Sequence, residues 1–158
     1  MKSYRISPEG LEKLCAAVFA ADGMDPGNAE KVAASLVEAD LRGVSSHGTV
    51  RLKSYVERSH KEHWTQNPRL SFTQTLPAVA LLDGDAGFGS LVGTAAMEKA
   101  MELALDYGVG ICAVKNSSHF GMAATRAIAV ARGSPGSAVS CHESKTKFSV
   151  AAIYGAPP

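Results

Sequence analysis

Ser46, His47 and Arg51 are residue types that together could bind a small acid and move a proton on it. We predict that a helix begins at or just after Ser46, because serine is a favoured N-cap residue. In such a helix His47 and Arg51 are four residues apart and lie on one face. A guanidinium matches a carboxylate, and an imidazole exchanges a proton near neutral pH. The spacing therefore fits a site for oxidation or reduction of a small acid, and it fits equally an ordinary surface helix that Ser46 caps.

A second candidate is segment 116–121, NSSHFG, which follows a predicted strand and precedes a predicted helix. Ligands of α/β folds gather at the carboxyl ends of strands, and helix N-termini attract anions. At this position His119 could add a hydrogen-bond donor or relay a proton. The alternative is a histidine whose hydrogen bonds are satisfied within the local turn.

Gly87, Gly89 and Gly93 form the pattern G-x-G-x-x-x-G between a predicted strand and a predicted helix. A phosphate-binding loop of a dinucleotide site occupies the same place. The acidic residue that usually ends the next strand is missing, since Val114 is followed by Lys115. Close packing of the helix on the strand explains the glycines equally well, so both interpretations stay open.

Composition excludes several classes of function. The 158 residues carry a formal net charge of +1 without a block of Lys or Arg, which argues against nucleic-acid and membrane-surface partners. No apolar run approaches the roughly 20 residues that a membrane-spanning helix needs. Cys15, Cys112 and Cys141 are far apart and form no C-x-x-C pair, as in a reduced cytoplasmic protein without disulfides. His60 and His63 lack a nearby set of further ligands, so we predict no metal site.

Helix signals dominate the first part of the chain, and alternation with strands dominates the second. Cap residues and apolar periodicity predict helices over about 8–21 and 26–43, followed by the helix at Ser46. The second part predicts strands at 70–76 and 78–82, a turn at 83–85, a helix at 91–105, a buried strand at 109–114, a helix at 122–132 and a strand at 137–141. We therefore predict an α/β protein with a helical unit over residues 1–65 and an α/β unit over residues 66–158.

Three segments occur in an order and spacing that resemble one enzyme family. ADLRGVSSHGTVR at 39–51, LDGDAG at 82–87 and NSSHFG at 116–121 are similar to the type-2 malate/L-lactate dehydrogenases, over about residues 5–132. That family includes ureidoglycolate, sulfolactate and piperideine-2-carboxylate oxidoreductases. The resemblance implies a fold unlike the Rossmann fold, a homodimer, and hydride transfer between NAD or NADP and a small 2-hydroxy/2-oxo acid such as malate or lactate.

The resemblance also implies roles for single residues. Ser46 and His47 correspond to a polar relay that moves the proton, and Arg51 corresponds to the ligand of the substrate carboxylate. His119 matches the acid/base of some members, so the resemblance does not choose between the two histidines. The implied cofactor contacts are His119, Phe120, Gly121, Met122, Ala123 and Ser144, and no metal is implied.

Beyond residue 132 the sequence departs from the family pattern, and family members are about twice as long. A non-catalytic α/β module for dimerisation or binding is therefore the alternative to an enzyme. Binding of NADH or NADPH discriminates between the two, since only the enzyme is expected to bind a nucleotide.

Overall fold

The computed structural model of the chain describes residues 5–122, 139–144 and 147–153. The chain folds as two compact units, Met1–Asn67 and Pro68–Pro158. Within the described ranges, none of the helices is long and apolar enough for a membrane crossing.

The first unit is helical. It contains α1 (Pro8–Ala21), α2 (Pro26–Leu41), two 3₁₀ turns (Ser45–His47 and Thr49–Arg51) and α3 (Leu52–Lys61). The Ser7 hydroxyl accepts a hydrogen bond from the Gly10 N–H at 3.1 Å, which caps α1 ahead of Pro8. The two helices predicted over 8–21 and 26–43 are thus confirmed, the second ending two residues earlier.

The third predicted helix is present as α3, but its predicted start at Ser46 is wrong. Gly48 is extended, with φ −88° and ψ −156°, and separates the two 3₁₀ turns before α3 begins at Leu52. Thr49 donates its N–H to the Asp40 carboxylate, a contact with a residue nine positions earlier that a local helix signal does not include. Ser46 lies inside the first turn and does not cap a helix, and His47 and Arg51 belong to different turns.

The core of the first unit forms where α1, α2 and α3 present apolar side chains. Tyr55 is 3% exposed, and its ring meets Trp64 edge-on with centroids 5.8 Å apart. His60 is exposed, and its Nε2 lies 2.6 Å from Asp22 Oδ1. The buried apolar residues of α1, α2 and the segment between them are Cys15, Phe19, Met24, Ala29, Val32, Ala33, Leu36, Val37 and Ala39.

The second unit is a five-stranded sheet with the order β1-β2-β3-β5-β4. Its elements are β1 (Ser71–Leu76), β2 (Val79–Gly87), α4 (Gly89–Tyr107), β3 (Val109–Ser117), β4 (Val139–Ser144) and β5 (Lys147–Ile153). β2 and β3 are parallel, and the other neighbouring pairs are antiparallel. The strands predicted at 70–76, 78–82 and 109–114 and the helix at 91–105 are confirmed, with longer bounds for most. The strand predicted at 137–141 overlaps β4, β5 was not predicted, and the helix predicted at 122–132 lies beyond Met122 outside the described residues.

The core of the second unit lies between α4 and one face of the sheet. Ala80, Leu82, Cys112 and Val114 alternate along β2 and β3 and pack against α4. Val109 and Ile111 point to the other face and are 39% and 37% exposed. The prediction that this strand is buried throughout is therefore wrong, because α4 packs on only the face that carries Cys112 and Val114.

The predicted turn at 83–85 is an irregular end of β2. Pairing between β2 and β3 shifts between Asp83 and Gly87, and Asp85 and Ala86 have φ values of 50° and 53°. The two left-handed residues redirect the chain toward α4 without ending the strand at Asp83.

The glycines at the start of α4 pack against the turn that follows β3. The Gly89 N–H donates to Ser118 Oγ at 3.0 Å, and the Ser118 N–H donates to the Gly87 carbonyl at 3.0 Å. A Cβ on Gly89 would overlap the backbone carbonyl of His119. Residues 87–93 are all buried. The packing interpretation of the glycine pattern is therefore favoured over the phosphate loop.

Two of the cysteines are free thiols in the two cores. Cys15 and Cys112 are both buried, and Cys141 lies in β4. Burial raises the pKa of the Cys112 thiol to about 11, against a smaller lowering by Lys99. Burial, together with the charge of Asp40, also raises the pKa of Cys15.

We predict that Cys112 resists alkylation in the folded chain. A pKa of about 11 in place of 9.0 leaves roughly a hundredfold less thiolate at pH 8, and the thiolate is the reactive form. Iodoacetamide labelling followed by peptide mass mapping reads each cysteine separately, with the urea-unfolded chain as control. Equal labelling rates for the folded and unfolded chains would contradict the predicted protection of Cys112.

The raised pKa of Cys112 also implies that the free energy of unfolding falls as the pH rises from about 9 toward 11, because only the thiol of the unfolded chain ionises in this range.

We predict that Gly89→Ala destabilises the second unit by about 1–3 kcal/mol, because the new Cβ must displace the His119 backbone. The measurement is the free energy of unfolding in urea, followed by circular dichroism. Gly27→Ala is the matched control, since a Cβ there meets no atom within 4 Å and the site is helical. A Gly89→Ala chain as stable as the parent would return the phosphate-loop interpretation to consideration.

Candidate functional site

The two 3₁₀ turns of the first unit carry all three residues of the first predicted site, and Asp40 fixes their path. The carboxylate oxygen Oδ2 of Asp40 accepts hydrogen bonds from the Thr49 N–H at 2.8 Å and the Thr49 hydroxyl at 2.6 Å. Gly48 is buried, and a Cβ on it would overlap the Asp40 carboxylate. The end of α2 therefore determines where the second turn begins.

Arg51 is held by one nitrogen of its guanidinium. Its Nε donates to the Ser46 carbonyl at 2.5 Å, and the residue is half-buried. Within the described part of the chain, Nη1 and Nη2 form no hydrogen bond or ion pair. The edge formed by these two nitrogens is one of the two guanidinium edges that can bind a carboxylate in a bidentate manner. The arrangement thus orients the guanidinium and leaves a carboxylate-binding edge.

Ser46 and His47 form a hydrogen-bonded pair in the first turn. Ser46 Oγ lies 3.0 Å from His47 Nδ1, with Ser46 exposed and His47 half-buried. Either atom can be the donor, depending on the tautomer of the imidazole. A hydroxyl bound to Nδ1 fixes the ring orientation and can pass a proton to or from it. The structure therefore brings together Ser46, His47 and Arg51, although not on the predicted helix face.

The second predicted site is the turn after β3. Asn116 and Gly121, at the two ends of this segment, have positive φ values of 51° and 81°. Phe120 is 1% exposed and belongs to the core under α4, whereas His119 and Gly121 are half-buried. Met122 is also buried, Ala123 lies outside the described residues, and Ser144 is the last residue of β4.

Polar groups cluster at the carboxyl ends of β2 and β3, where ligands of α/β sheets gather. Asp83 forms an ion pair with Lys115 at 3.2 Å and accepts hydrogen bonds from the Asp85 N–H at 3.1 Å and Asn116 Nδ2 at 3.2 Å. Hydrogen bonds to its carboxylate lower the pKa of Asp83, with the largest effect from the Asp85 N–H and smaller effects from Lys115 and Asn116. This network holds the start of the His119 turn against the end of β2.

Sequence reasoning missed the polar residues that support both sites. Asp40, Gly48 and Thr49 stand in the same 39–51 segment as His47, and Asp83 stands in the 82–87 segment. Their positions in these segments were visible, but their contacts join residues nine and 33 positions apart. Only a structure shows which carboxylate meets which donor.

Comparisons with known proteins place the chain among dehydrogenases. Residues 6–156 match the family model described as malate/L-lactate dehydrogenase. The malate dehydrogenase of Pyrococcus abyssi is 42% identical over 127 residues, which are 80% of this chain and 35% of that protein. The L-sulfolactate dehydrogenase of Methanocaldococcus jannaschii is 36% identical over 118 residues, which are 75% of this chain and 34% of that protein.

A solved structure shows the same fold. The malate dehydrogenase from Pyrococcus horikoshii OT3 matches with a TM-score of 0.78 and 36% identity, over 84% of this chain and 40% of that one. The matched part of the chain spans about a third of the length of these curated relatives. On the family model, the sequence identities and the fold together, the chain belongs to the malate/L-lactate dehydrogenase family.

Proposed function

We propose that this chain carries the substrate-carboxylate and proton-transfer residues of an NAD- or NADP-dependent oxidoreductase for small 2-hydroxy/2-oxo acids. The observation that carries the proposal is the guanidinium of Arg51, which Nε fixes to Ser46 next to the Ser46–His47 pair. Relatives named malate, L-sulfolactate and ureidoglycolate dehydrogenases support this substrate class.

Each residue has a definite part in this proposal. The Nη1–Nη2 edge of Arg51 binds the carboxylate and orients the adjacent carbonyl carbon. Reduction at that carbon places negative charge on its oxygen, and His47 donates the proton that neutralises it. Ser46 holds the imidazole through Nδ1 and is the next group in the relay. In the oxidation direction the same groups remove the hydroxyl proton.

A nicotinamide cofactor supplies the redox chemistry when it is bound. The described residues fit such a group in part. His119 and Gly121 are half-buried and carry polar groups that a ligand could contact, while the side chains of Phe120 and Met122 are buried. The Gly87–Gly93 loop does not fit a phosphate, because the Gly89 N–H already donates to Ser118. The second unit thus offers a contact turn, with Ala123 and Ser144 as further proposed contacts, and does not offer a complete nucleotide site within the described residues.

Two points of the proposal stay as alternatives for experiment. His119 is the alternative acid/base to His47. NADP is the alternative to NAD, and NAD is favoured by one relative, the ureidoglycolate dehydrogenase of Escherichia coli, which carries NAD(+) in its name. The family resemblance also supports a homodimer, and the free cysteines support a cytoplasmic location.

We predict that Arg51→Lys weakens binding of malate about tenfold or more, because lysine cannot reproduce the bidentate edge. Arg42→Lys is the matched control in the same unit, since Arg42 pairs with Glu38 at 2.6 Å. Isothermal titration with malate, and separately with NADH and NADPH, measures both affinities. Equal malate affinity of Arg51→Lys and the parent chain would reject the carboxylate role.

Rate measurements on variants of His47 and His119 show which of the two histidines is the acid/base. NADH or NADPH consumption with oxaloacetate is measured for His47→Asn and His119→Asn, and loss of the acid/base is expected to lower the rate about 10²–10⁴-fold. A chain that binds neither nucleotide nor any 2-hydroxy acid would be the non-catalytic module.

A further inference from the structure

We propose that Asp40 is a positioning residue of the carboxylate site, acting on Arg51 and the Ser46–His47 pair through Thr49 and Gly48. The inference rests on the proposed function for its purpose, the binding of a 2-hydroxy acid. Its geometry stands on the contacts of the first unit alone.

Asp40 is a rigid point of attachment. It lies in the last turn of α2, next to Ala39, which is 0% exposed, and close to Leu36 and Val37, which are both 1% exposed. A carboxylate on a helix so packed has little freedom to follow the chain after Arg42. The position of α2 therefore determines the position of the two 3₁₀ turns, through the hydrogen bonds between Asp40 and Thr49.

The contact between Asp40 and Thr49 determines where the second 3₁₀ turn begins. Thr49 is the first residue of that turn and Arg51 is the last. Both hydrogen bonds, 2.8 Å from the amide and 2.6 Å from the hydroxyl, go to the same charged oxygen, and such bonds are stronger than neutral ones. Asp40 forms no ion pair with Arg51 within the described ranges, so its charge orders the turn without occupying the guanidinium.

Gly48 shows that the fit around Asp40 is close. Its backbone is extended, a conformation that any residue adopts, so glycine is not required there for its φ value. It is required for space, because a Cβ would overlap the Asp40 carboxylate. The chain next to His47 is thus pressed directly against Asp40.

Arg51 completes the assembly by returning to the first turn. Its Nε bonds the carbonyl of Ser46, whose hydroxyl contacts His47. Release of Thr49 from Asp40 would let the second turn move and would weaken the Arg51–Ser46 bond. The guanidinium edge of Arg51 and the imidazole of His47 would then no longer be held in fixed positions relative to each other, while α1 and α2 would stay packed.

The test compares Asp40→Asn with Asp25→Asn, a carboxylate of the same unit that forms no cap hydrogen bond. The first readout is solvent exchange of the Arg51 Nε–H, followed by NMR. We expect exchange about tenfold faster in Asp40→Asn, unchanged exchange in Asp25→Asn, and unchanged amide exchange in the cores of α1 and α2. Thr49→Val, which removes only the hydroxyl donor, is expected to accelerate Arg51 exchange by a smaller factor and serves if Asp40→Asn does not fold.

The second readout is the dissociation constant for malate, expected to rise about tenfold in Asp40→Asn with the NADH dissociation constant unchanged. Unchanged exchange of the Arg51 Nε–H in both Asp40→Asn and Thr49→Val would overturn the positioning role. Faster exchange throughout α1 and α2 would also overturn it, because Asp40 would then be a general stability residue. A parent chain that binds no malate while Arg51 exchange still responds to Asp40→Asn would reject the proposed function and retain the positioning geometry.

Discussion

The hydrogen bond from Arg51 Nε to the Ser46 carbonyl is the contact on which the candidate site depends. It joins two short 3₁₀ turns that have few hydrogen bonds of their own, and 3₁₀ turns are intrinsically weak elements. With Nε engaged, the guanidinium keeps a fixed plane and presents its Nη edge to a ligand. A flexible arginine would lose more side-chain entropy on binding a carboxylate, so this preorganisation favours affinity.

The second unit places its polar turn by backbone contacts at the carboxyl ends of two parallel strands. Ser118 receives the first N–H of α4 and donates its own N–H to Gly87, so the turn and the helix start form one packed structure. Glycine is needed at position 89 because the backbone of His119 lies too close for a Cβ. A pattern that resembles a phosphate loop is therefore a packing feature in this chain, and His119 is the group of the turn that retains chemical interest.

The family and the broad order of elements could be predicted because they depend on local signals. Ser7-Pro8 and Asp25-Pro26 start α1 and α2, and apolar periodicity gives α4 and β3. The local path around His47 could not be predicted, because the Asp40 carboxylate and the space around Gly48 compete with the cap preference of Ser46. The exposure of Val109 and Ile111 was also not readable, since an apolar strand does not reveal which face a helix covers.

A crystal structure of the chain with malate bound tests the role of Arg51 most directly. We expect one malate carboxylate about 2.7–3.0 Å from both Nη1 and Nη2 of Arg51, with Nε still bonded to Ser46. We also expect the hydroxyl carbon to face the imidazole of His47. Malate bound away from Arg51, or bound to an Arg51 whose Nε has left Ser46, would contradict the assignment of this arginine as a preorganised carboxylate ligand.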